Sequence, residues 1–160
     1  MAETKFKSAV GTDLNPKEVA LAVIEFMKAA PEREYVVTIG TDSELYGRTA
    51  ADFVTAVVVH RVGNGARYFW RRIKIENLHT MRDRILQEVL TSLDTAKFVL
   101  SDLRSMNCPD FKLEIHVDVG ENGETKKMIQ ELVGIIRAND FEPKTKPESY
   151  AASSVADRHV

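Results

Sequence analysis

The sequence predicts a single α/β domain built on a mixed sheet of five strands, with helices on both faces. The chain has 160 residues, of which 44% are hydrophobic and 29% are charged, and this is an ordinary composition for one globular domain. In the second half, strand-like and helix-like segments alternate, which requires crossover connections and parallel pairing. In the first half, Gly63-Asn64-Gly65 separates two strand-like segments and is typical of an antiparallel hairpin.

The first half of the chain is expected to form a helix followed by a three-stranded meander. Residues 1–14 show no clear period, and we expect them to be loose. The sequence NPKE at residues 15–18 begins an extra N-terminal helix, because asparagine caps helices and proline suits their first turn. The three strands of the antiparallel meander are predicted at residues 35–42, 52–60 and 66–75.

The second half supplies the remaining helices and two parallel strands. A long amphipathic helix is predicted at residues 79–104, because apolar residues recur there at helical spacing. The elements that follow are a fourth strand at 111–119, a loop at 120–123, a helix at 124–137, a fifth strand at 141–144 and a last helix that begins at 147–149.

The composition restricts the location and the partners of the protein. A single cysteine, Cys108, excludes an internal disulfide and fits a reducing compartment. No apolar run approaches the roughly 18 residues of a membrane span, and the N-terminus lacks the apolar core of a signal peptide. We therefore expect a cytoplasmic protein that has no membrane partner. The net charge of −2 gives no overall attraction to nucleic acid, so an anionic partner would have to bind a local patch.

Two aspartates fall near the ends of predicted strands. Asp42 ends the first strand, and Asp118 lies near the end of the fourth. If these strands are parallel neighbours, the two carboxylates lie together at the sheet edge where ligands of α/β proteins bind. Two such carboxylates stay ionised together only when a cation lies between them, and hard ions such as Mg²⁺ prefer these ligands. The alternative is that each aspartate forms a turn or caps a helix.

Two further acids have weaker support. Glu88 falls at the edge of the apolar stripe of the long helix, from which its carboxylate can reach over the sheet end. The alternative is a solvated charge beside a core face. Asp157 follows a face of small residues and opposes the dipole of its helix, which hints at a function. The alternative is an ordinary solvated charge near a terminus.

Basic residues form two candidate sites for an anion. Residues 60–74 contain Arg67, Arg71 and Arg72, interleaved with aromatic residues that can stack on bases. The alternative is an edge strand that charge protects from association. Lys126 and Lys127 lie at the start of a predicted helix, a place that attracts phosphate.

Three motifs occur in order along the chain: IGTDS, EIHVDVG followed by NGETKKMI, and KPESYAASSVADRH. Together they resemble the YkuK-like family of small bacterial proteins over about residues 35–159, and the resemblance implies a ribonuclease H-like fold. By the order of acids in the wider superfamily, the resemblance implies a site made of Asp42, Glu88, Asp118 and Asp157. Asp83 is an alternative to Glu88, and His159 is an alternative or an addition to Asp157.

The resemblance also implies a chemistry, which is phosphodiester hydrolysis with two Mg²⁺ or Mn²⁺ ions. Asp42 would bridge both ions, Asp118 and Glu88 would each complete one side, and His159 or His116 would move protons. The implied substrates are RNA, an RNA/DNA hybrid or structured DNA. One alternative is a catalytically weak or inactive module of the same fold that binds nucleic acid or protein. An ATPase related to actin-like sugar kinases ranks last, because those proteins need two such domains.

Overall fold

The computed structural model describes residues 5–119, 124–146 and 151–160. The described residues form seven strands, four α-helices and one 3-10 helix. In chain order these are β1 (Phe6–Ser8), β2 (Asp13–Leu14), α1 (Pro16–Lys28), β3 (Tyr35–Tyr46), β4 (Ala50–Arg61), β5 (Ala66–Ile75), α2 (Met81–Ser105), β6 (Lys112–His116), the 3-10 helix (Glu124–Met128), α3 (Ile129–Ala138), β7 (Glu142–Lys144) and α4 (Ala151–His159). The predicted loop at 120–123 and the predicted helix start at 147–149 lie outside the described residues.

The strands form one mixed sheet in the order β2-β1-β5-β4-β3-β6-β7. Strands β3, β4 and β5 pair as an antiparallel meander, while β6 runs parallel to β3 and β7 runs parallel to β6. The predicted α/β fold is confirmed, with seven strands rather than five.

The two additional strands come from the N-terminal segment that we expected to be loose. β1 pairs antiparallel with the outer edge of β5, and β2 pairs with β1. Phe6 of β1 is 0% exposed, and its ring packs edge-on against Phe98 of α2 at a centroid distance of 6.1 Å. The expectation is therefore wrong for residues 6–14. Strands of three and two residues are too short to show a hydrophobic period.

Helices cover both faces of the sheet, as predicted. Because side chains alternate along a strand, Val57 and Val59 of β4 face one way while Val54, Ala56 and Val58 face the other. The first face packs with residues of α1, α2 and α3. The second face packs with Ala152, Val155 and Ala156 of α4. Within the described ranges, no helix is both long and apolar enough to cross a membrane.

β3 is longer than predicted, and this changes the setting of Asp42. The strand continues to Tyr46 and pairs with β4 as far as Ala50. Its parallel neighbour β6 ends earlier, at His116, opposite Gly40. Asp42 therefore lies where the parallel pairing stops, rather than at the end of its own strand as predicted. The polar residues beyond it remain in the sheet because they pair with β4 in a long hairpin.

Candidate active site

Parallel pairing brings Asp42 and Asp118 to the same place. Gly40 and His116 are partners in the β3–β6 register, and each aspartate follows its partner by two residues. Side chains two residues apart share a face, and neighbouring strands lie about 4.8 Å apart. The chain stays extended beyond β6, because the Val117 amide donates to the Lys144 carbonyl over 2.9 Å. The two carboxylates are consequently neighbours on the face that α4 covers.

Asp157 joins this pair from α4. The pKa of Asp42 is raised to about 6, chiefly by burial and then by a hydrogen bond with the Asp157 carboxyl and the negative charge of Asp118. The Ser43 amide opposes this effect by donating to Asp42 Oδ1 over 3.0 Å. Asp42 therefore holds a proton more readily than an ordinary aspartate, because it is partly buried and lies beside other acids.

Glu88 approaches from the opposite side of the sheet, on α2. Burial raises the pKa of Glu88 to about 8, and the charges of Asp42 and Asp118 contribute to that rise. Arg84, one helical turn earlier, and the hydroxyl of Ser43 act in the opposite direction. The side chain lies in a narrow crevice at the sheet end, which Asp118 also lines. Asp42 thus interacts with each of the other three acids that the resemblance implied.

Asp83, the alternative to Glu88, caps a helix. The Asp83 amide donates to Thr80 Oγ1 over 3.0 Å, and Asp83 Oδ2 accepts from the Thr80 amide over 3.2 Å. The His79 amide donates to the same carboxylate oxygen over 3.0 Å. These hydrogen bonds stabilise the start of α2 and lower the pKa of Asp83. Glu88 is consequently the acid of α2 that interacts with the cluster.

Three buried hydroxyl groups hold α2 against the strands beside the cluster, and the sequence reasoning missed them. Thr41 Oγ1 lies 2.9 Å from Thr55 Oγ1 and 2.7 Å from Ser92 Oγ. Ser92 follows Glu88 by one helical turn, so this network fixes the part of α2 that carries Glu88. The available signal was polar residues at core-facing positions, which need buried partners.

Lys146 is a second residue that the sequence reasoning missed. Its Nζ lies 2.9 Å from Asp118 Oδ1. The carboxylates of Asp118 and Asp42 raise the pKa of the Lys146 amine. The only signal was that Lys146 is the first residue of the third motif, because its position beside Asp118 depends on the three-residue strand β7.

The cluster fits a divalent ion by its donor chemistry. Among the residues that the structure describes, no three His, Cys, Asp or Glu side chains are spaced to hold a metal ion as they stand. Four carboxylates from four different segments nevertheless converge, and such oxygen donors suit Mg²⁺ and Mn²⁺. Burial and the neighbouring acids both raise the pKa values of Asp42 and Glu88, and a bound cation would stabilise their ionised forms.

The two candidate histidines have partners elsewhere. The ring of His159 stacks on Trp70 at a centroid distance of 4.2 Å, and its Nε2 lies 3.3 Å from the Tyr68 hydroxyl. These contacts tie the end of α4 to β5. His116 is 5% exposed, and its Nε2 lies 3.2 Å from Glu114 Oε1. Neither histidine is therefore included in the catalytic group proposed below.

The arginines of β5 divide between the two faces of the sheet. Arg71 is partly buried and donates from Nη2 to Thr95 Oγ1 over 2.8 Å, so it connects β5 to α2. Arg67 is exposed, with its guanidinium 5.3 Å from the ring centroid of Phe26. Arg67 pairs with Val59 of β4, whereas Asp42 pairs with Val54, which lies five residues earlier on the same strand. At about 3.4 Å per residue, Arg67 is far from the acids along the sheet.

Arg72 and the two predicted lysines are better placed for a phosphate chain. Asp42 pairs with Val54, and Val54 pairs with Arg72, so Arg72 lies in the row of the acids and on their face. Its guanidinium also donates to the carbonyl of His159 at the end of α4. Lys126 and Lys127 are exposed on the 3-10 helix.

Comparisons with known proteins agree with the fold. A family model described as "Ribonuclease H-like" matches residues 18–160. The chain is 36% identical over 144 residues to the "Uncharacterized protein YkuK" of Bacillus subtilis (strain 168), which covers 83% of each protein. No solved structure matches the chain at a significant level.

Proposed function

The chain belongs to the YkuK-like proteins of the ribonuclease H-like family, and from this premise we propose that it is a metal-dependent nuclease that hydrolyses phosphodiester bonds. Asp42, Glu88, Asp118 and Asp157 would hold two Mg²⁺ or Mn²⁺ ions. The observation that supports the proposal most strongly is the convergence of these four carboxylates from β3, α2, the end of β6 and α4.

Each acid has a distinct position in the proposed site. Asp42 interacts with both Asp118 and Asp157, so it is the acid best placed to contact both ions. Glu88 reaches the cluster from the other face of the sheet, and the hydroxyl network around Ser92 holds its helix in position. When bound, the ions would activate a water molecule and neutralise charge that develops on the phosphate.

Before metal binds, protonation of the buried carboxyls reduces the repulsion among the four acids. With a pKa of about 8, Glu88 retains its proton at neutral pH, whereas Asp42, with a pKa of about 6, is then mostly ionised and is protonated in mildly acidic solution. A ligand carboxylate must lose its proton to bind a metal, so metal binding releases protons and strengthens as the pH rises.

The proposed substrate is RNA, an RNA/DNA hybrid or structured DNA. Arg72 extends the row of the acids across the sheet, and its guanidinium can bind a phosphate bidentately. The exposed side chains of Lys126 and Lys127 add positive charge that a flexible phosphate chain could follow.

A second candidate function is a binding module of the same fold that does not cleave. It is favoured by the absence, in the described part of the chain, of three side chains already spaced for a metal ion. A module would bind nucleic acid or protein equally well after Asp42 is neutralised, whereas a nuclease would lose cleavage.

A cleavage assay distinguishes the two functions. Fluorescent single-stranded RNA, an RNA/DNA hybrid and branched DNA are incubated with Mn²⁺ and the parent protein, the Asp42→Asn variant or the Asp94→Asn variant. Asp94 is an exposed acid of α2 and serves as the matched control. We expect the parent and Asp94→Asn to cleave, and Asp42→Asn to lose about a hundredfold or more in rate. Equal cleavage by Asp42→Asn and the parent would refute the assignment.

A further inference from the structure

Lys146 forms the one ion pair in the described part of the chain that involves any of the four acids. Its Nζ lies 2.9 Å from Asp118 Oδ1, where a cation bound by that oxygen would also have to lie. The side chains of Lys146 and Asp118 are 57% and 37% exposed, so the ammonium approaches from the open side of the cluster.

The backbone fixes the start of this side chain. The Lys146 amide donates to the Val119 carbonyl over 2.9 Å, and His116 pairs with Lys144 in the register of β6 with β7. Lys146 and Asp118 therefore each lie two residues beyond a paired position and share a face. The long side chain remains partly exposed, so its ammonium can move while its Cα stays in place.

Two cations cannot occupy the same side of one carboxylate oxygen, because they repel each other strongly at short distance. We propose that Lys146 is the internal counter-ion of the acid cluster, that a divalent metal displaces it from Asp118, and that the displaced ammonium then binds a phosphate of the substrate. This inference rests on the metal site proposed above and gives one residue two successive partners.

Metal affinity tests the first half of the inference. Mn²⁺ binding is measured by titration calorimetry for the parent, Lys146→Gln, Lys146→Arg and Lys144→Gln. Lys144 belongs to the same strand but has His116 as its register partner, so its variant controls for the general loss of a positive charge. We expect Lys146→Gln to bind Mn²⁺ about two- to fivefold more tightly, as the loss of one exposed ion pair implies. Lys146→Arg and Lys144→Gln should bind like the parent.

The results separate this inference from the metal site itself. If the parent and Lys146→Gln bind Mn²⁺ with equal affinity, or if Lys146→Gln binds more weakly, the counter-ion role is refuted and the metal site stands. If neither protein binds Mn²⁺, the metal site is refuted and the counter-ion role with it. If Lys144→Gln gains as much affinity as Lys146→Gln, the effect is one of overall charge and the specific role of Lys146 is refuted.

Nucleic-acid binding tests the second half. Anisotropy of a fluorescent single-stranded RNA is measured for the parent and Lys146→Gln, both without divalent ions and with Ca²⁺. Without divalent ions Asp118 holds the ammonium, so the substitution should change RNA affinity little. With Ca²⁺ the substitution should weaken RNA binding. The slope of log K against the logarithm of the salt concentration should then become smaller in magnitude by about one. An equal effect of the substitution under both conditions would contradict displacement by the metal.

Discussion

Glu88 is a buried acid whose ionised form is poorly stabilised in the metal-free protein. Its pKa is raised from 4.5 in the unfolded chain to about 8 in the native state. Between these two values the native state binds more protons than the unfolded state, so the free energy of unfolding falls as the pH rises. Glu88 therefore costs no stability below about pH 4.5, and the full cost is present above about pH 8.

Replacement of Glu88 by an uncharged analogue should reverse this cost. We expect Glu88→Gln to raise the free energy of unfolding by about 2 kcal/mol at about pH 8 and to change it little at about pH 4. Urea unfolding at both pH values measures the difference. Glu25→Gln, at an exposed position of α1, is the matched control and should show no comparable gain at high pH. A destabilised Glu88→Gln variant at high pH would contradict the assigned environment of Glu88.

At the scale of elements, the N-terminal strand β1 is part of the core. Phe6 is buried between the sheet and α2, and the Arg71 guanidinium lies 5.6 Å from its ring centroid. We expect Phe6→Ala to lower the free energy of unfolding by about 3–5 kcal/mol, because it leaves a cavity in a packed core. Thermal and urea unfolding measure the loss.

Val10 supplies the control for this substitution, since it lies in the same segment and is 88% exposed. Val10→Ala should change stability by no more than about 0.5 kcal/mol. If Phe6→Ala is as stable as Val10→Ala, the N-terminal segment does not contribute to the core and our original expectation of a loose segment would be correct.

The elements that could be predicted from the sequence are those long enough to show a clear hydrophobic period. β4, β5 and α2 each contain at least ten residues, so their patterns were clear. The parallel pairing of β3 with β6 was only a condition of the sequence argument; the structure meets it, and it is enough to bring Asp42 and Asp118 together.

Other features depend on contacts that no local pattern encodes. β1 is stabilised by pairing with β5, and β2 by pairing with β1, and a short segment does not reveal such a register. The position of Lys146 depends on the register of β7, and the hydrogen bond between Thr41 and Ser92 joins residues 51 positions apart. The longer extent of β3 was missed because Asp42, Ser43 and Glu44 interrupt its apolar pattern and its last three residues are exposed.

At the scale of the whole molecule, the site is assembled from both faces of the sheet. α2 contributes Glu88 from one face, and α4 contributes Asp157 from the other. The small residues of α4 pack on β4, and the stacking of His159 on Trp70 holds the end of that helix to β5. The complete set of four acids therefore requires that both layers are packed on the sheet.

The proposed metal site would therefore exist only in the folded domain. A ligand that binds only the native state stabilises it, by about 2.7 kcal/mol at a concentration one hundred times its dissociation constant. Divalent ions should consequently offset the repulsion among the four carboxylates.

The most direct test of the central claim is a calorimetric titration of Mn²⁺ into the parent protein, Asp118→Asn and the control Asp94→Asn. Removal of one ligand carboxylate should weaken binding by about tenfold or more, whereas Asp94 lies outside the cluster. We predict that the parent and Asp94→Asn bind Mn²⁺ alike and that Asp118→Asn binds it much more weakly. Equal affinity of Asp118→Asn and the parent, or no binding by the parent, would contradict a shared metal site at these four acids.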